Sequence, residues 1–339
     1  MVKRRSALLL LAVLLLSASV CSSQAAEKLR IGVLKLASSG PVFIAAERGY
    51  FASEGIDAEL RYFDAAQPVA VATVSGDVDI GITGLTAGFY NLAGKGALRI
   101  IGAQSREEPG YHLIAYLASN RAYDAGLTTL AAFPGHSVAI SQVGSTFHYS
   151  LGLLSEKLHF PLDRLRLVPL QSMSNMAAAL KGNQVDAALL PATVAVPLVA
   201  QGAAHNLGWV GNETPWQLGA IFARESTIEQ RRSTLAAFIR AYRRGAHDFY
   251  QAFLTKGPDG RLKEGKDAGA VLAILAKYTG QPVDRIRAGI PYIDPDAKLL
   301  VDDIYHQVAW YQSQGLVDKS VDARKILDLS FIGQSTAAH

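Results

Sequence analysis

One pattern occurs twice in this chain and dictates what it can fold into. Residues 74–83 read Val-Ser-Gly-Asp-Val-Asp-Ile-Gly-Ile-Thr, and residues 180–189 read Leu-Lys-Gly-Asn-Gln-Val-Asp-Ala-Ala-Leu. Each runs apolar residue, polar residue, Gly, short link, Val-Asp and buried run. The Gly supplies the left-handed conformation that ends a helix. The Asp stands at the start of a strand, where it can hold the turn. The run behind it is apolar because both faces of such a strand are covered.

The surroundings repeat as well. In the first copy, strands are predicted over 29–34 (LRIGVL), 57–63 (DAELRYF), 78–83 (VDIGIT) and 98–104, with helices over 41–51, 68–74 and 86–93. In the second, strands fall over 137–141 (SVAIS), 165–170 (LRLVPL) and 185–190 (VDAALL), with helices over 144–158, 175–180 and 193–202. A βαβαβ unit used twice gives an α/β chain with two mixed, mostly parallel sheets. Helices cover both faces, and a cleft lies between the sheets. The remainder is mostly helical. Residues 227–254 carry Leu235, Phe238, Ile239, Tyr242, Ala246 and Phe249 at 3–4 spacing, one amphipathic stripe. Arg231, Arg232, Arg240, Arg243 and Arg244 lie mostly off it and read as a solvated face rather than a partner surface. Helices are also expected over 268–278 and 299–314, with a polar loop over 256–266.

A length of 339 residues exceeds a comfortable single core and favours two lobes, and an apolar half excludes a disordered chain. The net charge of +4 invites a nucleic-acid or membrane partner, until it is located. Lys3, Arg4 and Arg5 precede an apolar run over 7–20, and Ser23 and Ala25 suit a cut after Ala25. This is the layout of a secretory signal peptide over 1–25, and it predicts export to the periplasm. The run is too short to span a bilayer. Cys21 would be the lipidated residue of a lipoprotein, but branched Val20 stands where a small residue is expected. Residues 1–25 hold three basic and no acidic groups, so most of the excess is an export signal and no nucleic-acid partner is implied. The same segment holds the only Cys, leaving no thiol nucleophile or disulfide framework in the exported chain.

Local catalytic motifs are missing. No two of the eight His lie within four positions of each other, and Gly135-His136-Ser137-Val138-Ala139 lacks the final Gly of a nucleophile elbow. There is no P-loop and no G-x-G-x-x-G, so neither catalytic residue, cofactor nor metal is assigned. What recurs is helix starts rich in small polar residues. They are Ser38, Ser39 and Gly40 with Pro41 in the first turn; Thr83 and Gly84 through Thr86; and Gly144, Ser145 and Thr146. Such ends bind anions through unpaired N–H groups and the helix dipole. Any one of them alone also reads as ordinary capping. Three at strand carboxyl ends, in two lobes, point to a ligand cleft. Lys35 and Arg106, beside strand ends, are candidate partners for a carboxylate or sulfonate. His148, in the first turn of its helix, either touches a ligand or has a surface or packing role, the latter favoured, while Tyr111, Phe89 and Trp216 either stack on a ligand or pack.

The segments LRIGVLKLASSGPVFIAAERGYFASEGIDAEL, VSGDVDIGITG, GHSVAISQVGSTFHYSLGLLSEKLHF, LKGNQVDAALLPAT and RRSTLAAFIRAYRRGAHDF span nearly all of the chain after residue 25. Together they resemble the periplasmic substrate-binding proteins of ABC importers in the sulfonate, taurine, nitrate and pyrimidine-precursor class. The resemblance implies a bilobal, type II-like periplasmic-binding-protein fold that closes on a small molecule by hinge motion. Lobe I would be 26–110 with 219–339, lobe II 111–218, joined by two crossing strands. It further implies a monomer that performs no chemistry and hands its ligand to a membrane permease. Family binding positions fall on 35–41, 83–86, 144–146 and the loop carrying Pro191 and Thr193. Many relatives have an acidic residue before a Pro in that last loop, and here the run is Leu-Pro-Ala-Thr. The missing carboxylate argues against recognition of an amine or ring N–H there and favours a small organic anion, aliphatic or aromatic. The rivals are a periplasmic sensor for a membrane receptor and a small-molecule lyase on the same fold.

Overall fold

Two five-stranded sheets are built on one strand plan. The computed structural model describes residues 26–332; the signal-peptide and Cys21 readings lie outside the described residues. The first half runs β1 (Glu27–Leu34), α1 (Gly40–Glu47), β2 (Ile56–Phe63), α2 (Ala66–Ser75), β3 (Ile80–Gly84), α3 (Ala87–Gly94) and β4 (Leu98–Ala103). The second runs β5 (Ile114–Ala118), β6 (Ser137–Ile140), α4 (Thr146–Lys157), β7 (Arg166–Pro169), α5 (Met173–Lys181), β8 (Ala187–Pro191), α6 (Ala192–Ala200) and β9 (His205–Trp209). The chain then returns as β10 (Gly219–Arg224) and finishes with α7 (Arg232–Phe253), α8 (Ala268–Thr279) and α9 (Val301–Ser313) among its longer helices.

The sheet orders are β2-β1-β3-β10-β4 and β7-β6-β8-β5-β9. β1 pairs parallel with β2 and β3, and β6 does so with β7 and β8. One strand in each sheet runs against both neighbours: β10 in the first and β5 in the second. Four of five strands in each sheet therefore share a direction. The reversed strand is the one that has just crossed from the other sheet. β5, β9 and β10 were not anticipated, because apolar runs such as GAIFAR carry no turn signal to bound them.

The repeat holds in the structure, but its residues play other parts than the sequence suggests. Gly76 has the left-handed φ of 88° that closes α2. In the second copy the left-handed residue is Asn183, at 54°, and Gly182 is not in that region. Neither Asp merely holds its turn, since each reaches back to the first strand of its own unit. Asp79 accepts the Arg30 N–H at 2.8 Å, and its own N–H donates to the Arg30 carbonyl at 2.8 Å. Asp186 accepts the Ser137 N–H at 2.9 Å and donates to the Ser137 carbonyl at 3.2 Å. The sequence separation is 49 residues in both cases. Each Asp thus fixes the register of its parallel β–x–β pair from a side chain.

Two expected helices are each broken. The 41–51 helix stops at Glu47 and restarts after Gly49, whose φ of 69° cannot continue a right-handed helix. The 227–254 helix divides into Glu225–Gln230 and α7 at Arg231. The stripe of α7 is buried as its spacing demands, and Gly245 lets the Pro41 carbonyl of α1 approach closely. The arginines beside that stripe pair with Glu27, Asp328, Glu54 and Asp296, and Arg244 lies over the Tyr50 ring. They fasten α7 to its neighbours.

Two segments, 104–113 and 210–218, cross between the sheets. They pair with each other through Glu107 and Trp216, N–H to carbonyl in both directions at 2.9 and 3.2 Å. The Glu107 side chain is fully buried, and neither carboxyl oxygen has a donor in hydrogen-bond geometry. Burial pushes this carboxyl well above its ordinary value, against a smaller opposing effect of the Gly211 and Ile114 N–H groups.

Two stability predictions follow from these carboxyls. Burial raises the Asp79 carboxyl, but the Arg30 side-chain and backbone hydrogen bonds and the Arg30 and Arg231 charges outweigh it and hold it below 3.8. Asp79→Asn should cost about 2–3 kcal/mol at pH 7. In urea titrations the wild-type advantage should shrink as the pH falls below 3.8. Glu107 has the opposite sign, because the folded state holds its proton where the unfolded chain releases it. Glu107→Gln should gain on wild type as pH rises above 4.5, by about 1.4 kcal/mol per pH unit until the carboxyl ionises. A pH-independent difference would refute a neutral Glu107.

Candidate ligand-binding cleft

Because four strands in each sheet share a direction, their carboxyl ends open on one side, and the loops that leave them face the other sheet. A cleft with about 930 Å³ of free space, part of it open to solvent, lies there. From the first sheet it is lined by Leu36, Ala37 and Ser38 after β1, Asp64–Gln67 after β2, Thr83, Gly84 and Thr86 at β3, and Gln104 after β4. From the second come Ser141, Gln142 and Ser145–Phe147 after β6, Gln171 and Met173 after β7, and Pro191–Thr193 after β8. Leu113, Ile114 and Leu218 join from the crossing segments and the start of β5.

Eight residues singled out from the sequence are brought together here: Ser38, Thr83, Gly84, Thr86, Ser145, Thr146, Pro191 and Thr193. Six fall elsewhere. Lys35 is exposed and lies over the Tyr62 ring at 4.9 Å. Arg106 donates to Glu108 at 2.8 Å and covers Tyr292 at 4.2 Å, so its charge is already matched at the crossing. Ser39 is buried below the cleft wall, Gly40 packs on Phe249 and Leu275, and Pro41 meets α7. Gly144, at φ 78°, donates its N–H to His148 Nδ1 at 3.0 Å and accepts from the Ala87 N–H at 2.9 Å. That last bond joins the two halves directly. His148 is buried against Trp310, and burial pushes its imidazole down to about 4. Trp216, Phe89 and Tyr111 all pack: on Tyr149, on Phe222 and on Tyr292.

Five of the longer helices, α2 through α6, begin at the cleft. Two of the hydroxyls seen in the sequence cap their helices, Thr86 accepting from the Phe89 N–H and Ser145 from His148; Ser172, which the sequence did not single out, accepts from Asn175. α2 and α6 have Ala65 and Pro191 before their first turns and no side-chain cap; the Ala192 N–H donates to the Leu113 carbonyl at 2.9 Å, and other first-turn N–H groups are left for other acceptors. Helix starts carry partial positive charge, about half an elementary charge each. Among the lining residues only Asp64 bears a formal charge. That one formal charge is negative, so whatever positive charge the cleft offers an anion comes from the backbone at the helix starts.

The deeper polar groups are neutral. Thr83 is buried and its hydroxyl has no partner among the described residues. The Gln67 amide oxygen accepts from Thr86 at 2.6 Å, leaving its NH₂ free to donate. Gln104 is buried, and a side chain at Gly219 would collide with its amide. Asp64–Gln67 and Gln171–Met173 went unnoticed in the sequence because nothing about DAAQ or QSM resembles a motif. The strand-end rule applied to the predicted strands 57–63 and 165–170 would have found both. Among the described residues no cluster of His, Cys, Asp and Glu could hold a metal, and no helix is long and apolar enough to cross a membrane.

No curated protein sequence matches the chain significantly. Solved structures that share the fold include the alkanesulfonate-binding protein SsuA from Xanthomonas axonopodis pv. citri bound to MOPS. It is 19% identical, with 90% of this chain and 100% of that one covered and a TM-score of 0.70. The periplasmic nitrate-binding protein NrtA from Synechocystis PCC 6803 is 15% identical, with 88% and 86% covered and a TM-score of 0.69. The desulfurization enzyme DSZB is 14% identical, with 90% and 97% covered and a TM-score of 0.60. At these identities the likeness is one of fold, and the fold is that of the bilobal periplasmic binding proteins. The NMT1/THI5-like family model matches residues 37–252, well over half of the sequence, and the chain belongs to that family.

Proposed function

We propose that this protein is an extracytoplasmic solute-binding protein that captures a small organic anion, a sulfonate or carboxylate, and delivers it to an ABC importer. In this reading the two sheets with their helices are the lobes, 26–110 with 219–332 and 111–218, and the ligand lies between them. The observation that carries it is the convergence of helix starts from both sheets on one cleft, with two of them uncapped. The anion is held by N–H groups and by hydroxyls such as Thr83, and not by Lys35 or Arg106. Its aliphatic or aromatic body lies on Leu36, Leu113, Phe147, Met173 and Leu218. The lining holds no His and no Cys, and Asp64 is its one titratable carboxyl, which supports binding over imidazole or thiol chemistry. Export and the permease partner rest on the resemblance to importer components and on the signal-peptide reading.

The test is capture followed by release. The folded protein, equilibrated with a small-molecule extract and washed, should release one anionic compound per chain on denaturation, detected by mass spectrometry. Thr193→Trp and Ala65→Trp, each placing an indole in the cleft, should weaken binding of that compound ~10-fold or more and abolish its stabilising effect. Release of no compound would count against solute binding. Release of a cation or neutral compound would keep solute binding and overturn the anion.

A further inference from the structure

The helix α9 touches both lobes and one of the two crossings. Gln307 on it is completely buried, and its amide is saturated. Its oxygen accepts from Tyr90 of α3 at 2.8 Å. Its nitrogen donates to the Gln217 carbonyl of the second crossing at 2.8 Å and to Asp303 at 2.7 Å. Asp303 in turn accepts the Gln217 N–H at 2.8 Å, and the Gln217 side chain donates to Ser105 of the first crossing at 3.1 Å. The second crossing is thus tied to α9 directly, and the first is tied to it through the Gln217 side chain. A fully partnered buried network of this kind specifies one geometry.

The other face of α9 grips α4 in the second lobe. Tyr311 donates to the Ser145 carbonyl at 3.1 Å, and Tyr149 is hydrogen-bonded to His306 at 2.7 Å. The Trp310 indole fills the notch left by Gly152, where a Cβ would stand 2.1 Å from its ring. Ser145 is the cap of α4 and lines the cleft. A helix late in the sequence thereby holds a cleft-wall residue that precedes it by 166 positions.

We propose that α9 is a third connection between the lobes, a strut that sets how far they open. Tyr311 and Gln307 are positioning residues for ligand capture that touch no ligand. Rotation about the two crossings would slide α4 past Trp310 and stretch the Tyr311–Ser145 bond. The lobes therefore move only as far as α9 allows. The consequence for capture rests on the cleft being the ligand site, whereas the strut itself does not.

The experiment needs no ligand. In the full chain carrying Cys21→Ser, spin labels at Val71→Cys and Val199→Cys, exposed on α2 and α6, report the inter-lobe distance by pulsed electron resonance. The parent should give one narrow distribution. Gly152→Ala, which must displace Trp310, should broaden it and add longer distances, and Tyr311→Phe should do so to a smaller degree. Adding Trp310→Phe to Gly152→Ala should restore the narrow distribution, which a loss of stability alone would not do. Unchanged distances in folded Gly152→Ala and Tyr311→Phe would overturn the strut, as would broadening that Trp310→Phe fails to reverse. Failure to capture any solute would leave these distances as they are, so the two readings fail separately.

Discussion

The shared direction of four strands in each sheet is the constraint on which the rest of this structure depends. Parallel strands need helical crossovers, and each crossover begins where a strand ends. The ends of the four codirectional strands, and with them the starts of the helices that follow those strands, therefore collect on one side of each sheet. When two such sheets face each other, their partially positive ends meet across one gap. The site is then a consequence of topology before any side chain is chosen. Asp79 and Asp186 matter because they hold the parallel register, through Arg30 and Ser137, that makes this arrangement possible.

The two reversed strands solve the complementary problem of joining the halves. β5 and β10 each lie inside one sheet while their chain comes from the other, so the crossings are anchored at both ends in hydrogen-bonded strands. Between the anchors only Glu107 and Trp216 pair the crossings directly by backbone. A buried carboxyl without a full partner at that point is costly. Burial raises its pKa, which favours the neutral form and lowers that cost. The polar residues of α9 bond to the second crossing at Gln217 and to both halves at Tyr90 and Ser145.

What the sequence disclosed divides along physical lines. The parallel cores were legible because VDIGIT and VDAALL follow a Gly and open on Val-Asp, and because all three runs, LRIGVL included, lead into helical patterns. The reversed strands were not, since IAYLA and GAIFAR are set in place by partners more than 60 residues away in sequence. The hydroxyl-rich helix starts were visible and lie on the cleft, but a hydroxyl that caps its own helix is partly spent, as Thr86 and Ser145 show. The uncapped starts at Ala65 and Pro191 have no hydroxyl to draw attention. Their availability follows from the absence of a cap, which no motif search detects. Burial of Gln104 and Thr83 is likewise a tertiary fact.

If the cleft closes on its ligand as proposed, backbone N–H groups suit it better than the two candidate cations would. A Lys or Arg in the gap would be stripped of water each time the lobes closed on an uncharged solute, a cost of several kcal/mol that only a paired anion offsets. It would also lose side-chain freedom on every cycle. N–H groups at a helix start are already fixed, so binding an anion orders nothing further, and they carry no full charge to desolvate. Arg106, by contrast, sits where a full charge can be matched permanently, by Glu108 beside it and the Tyr292 ring beneath it. There it anchors the first crossing from one side.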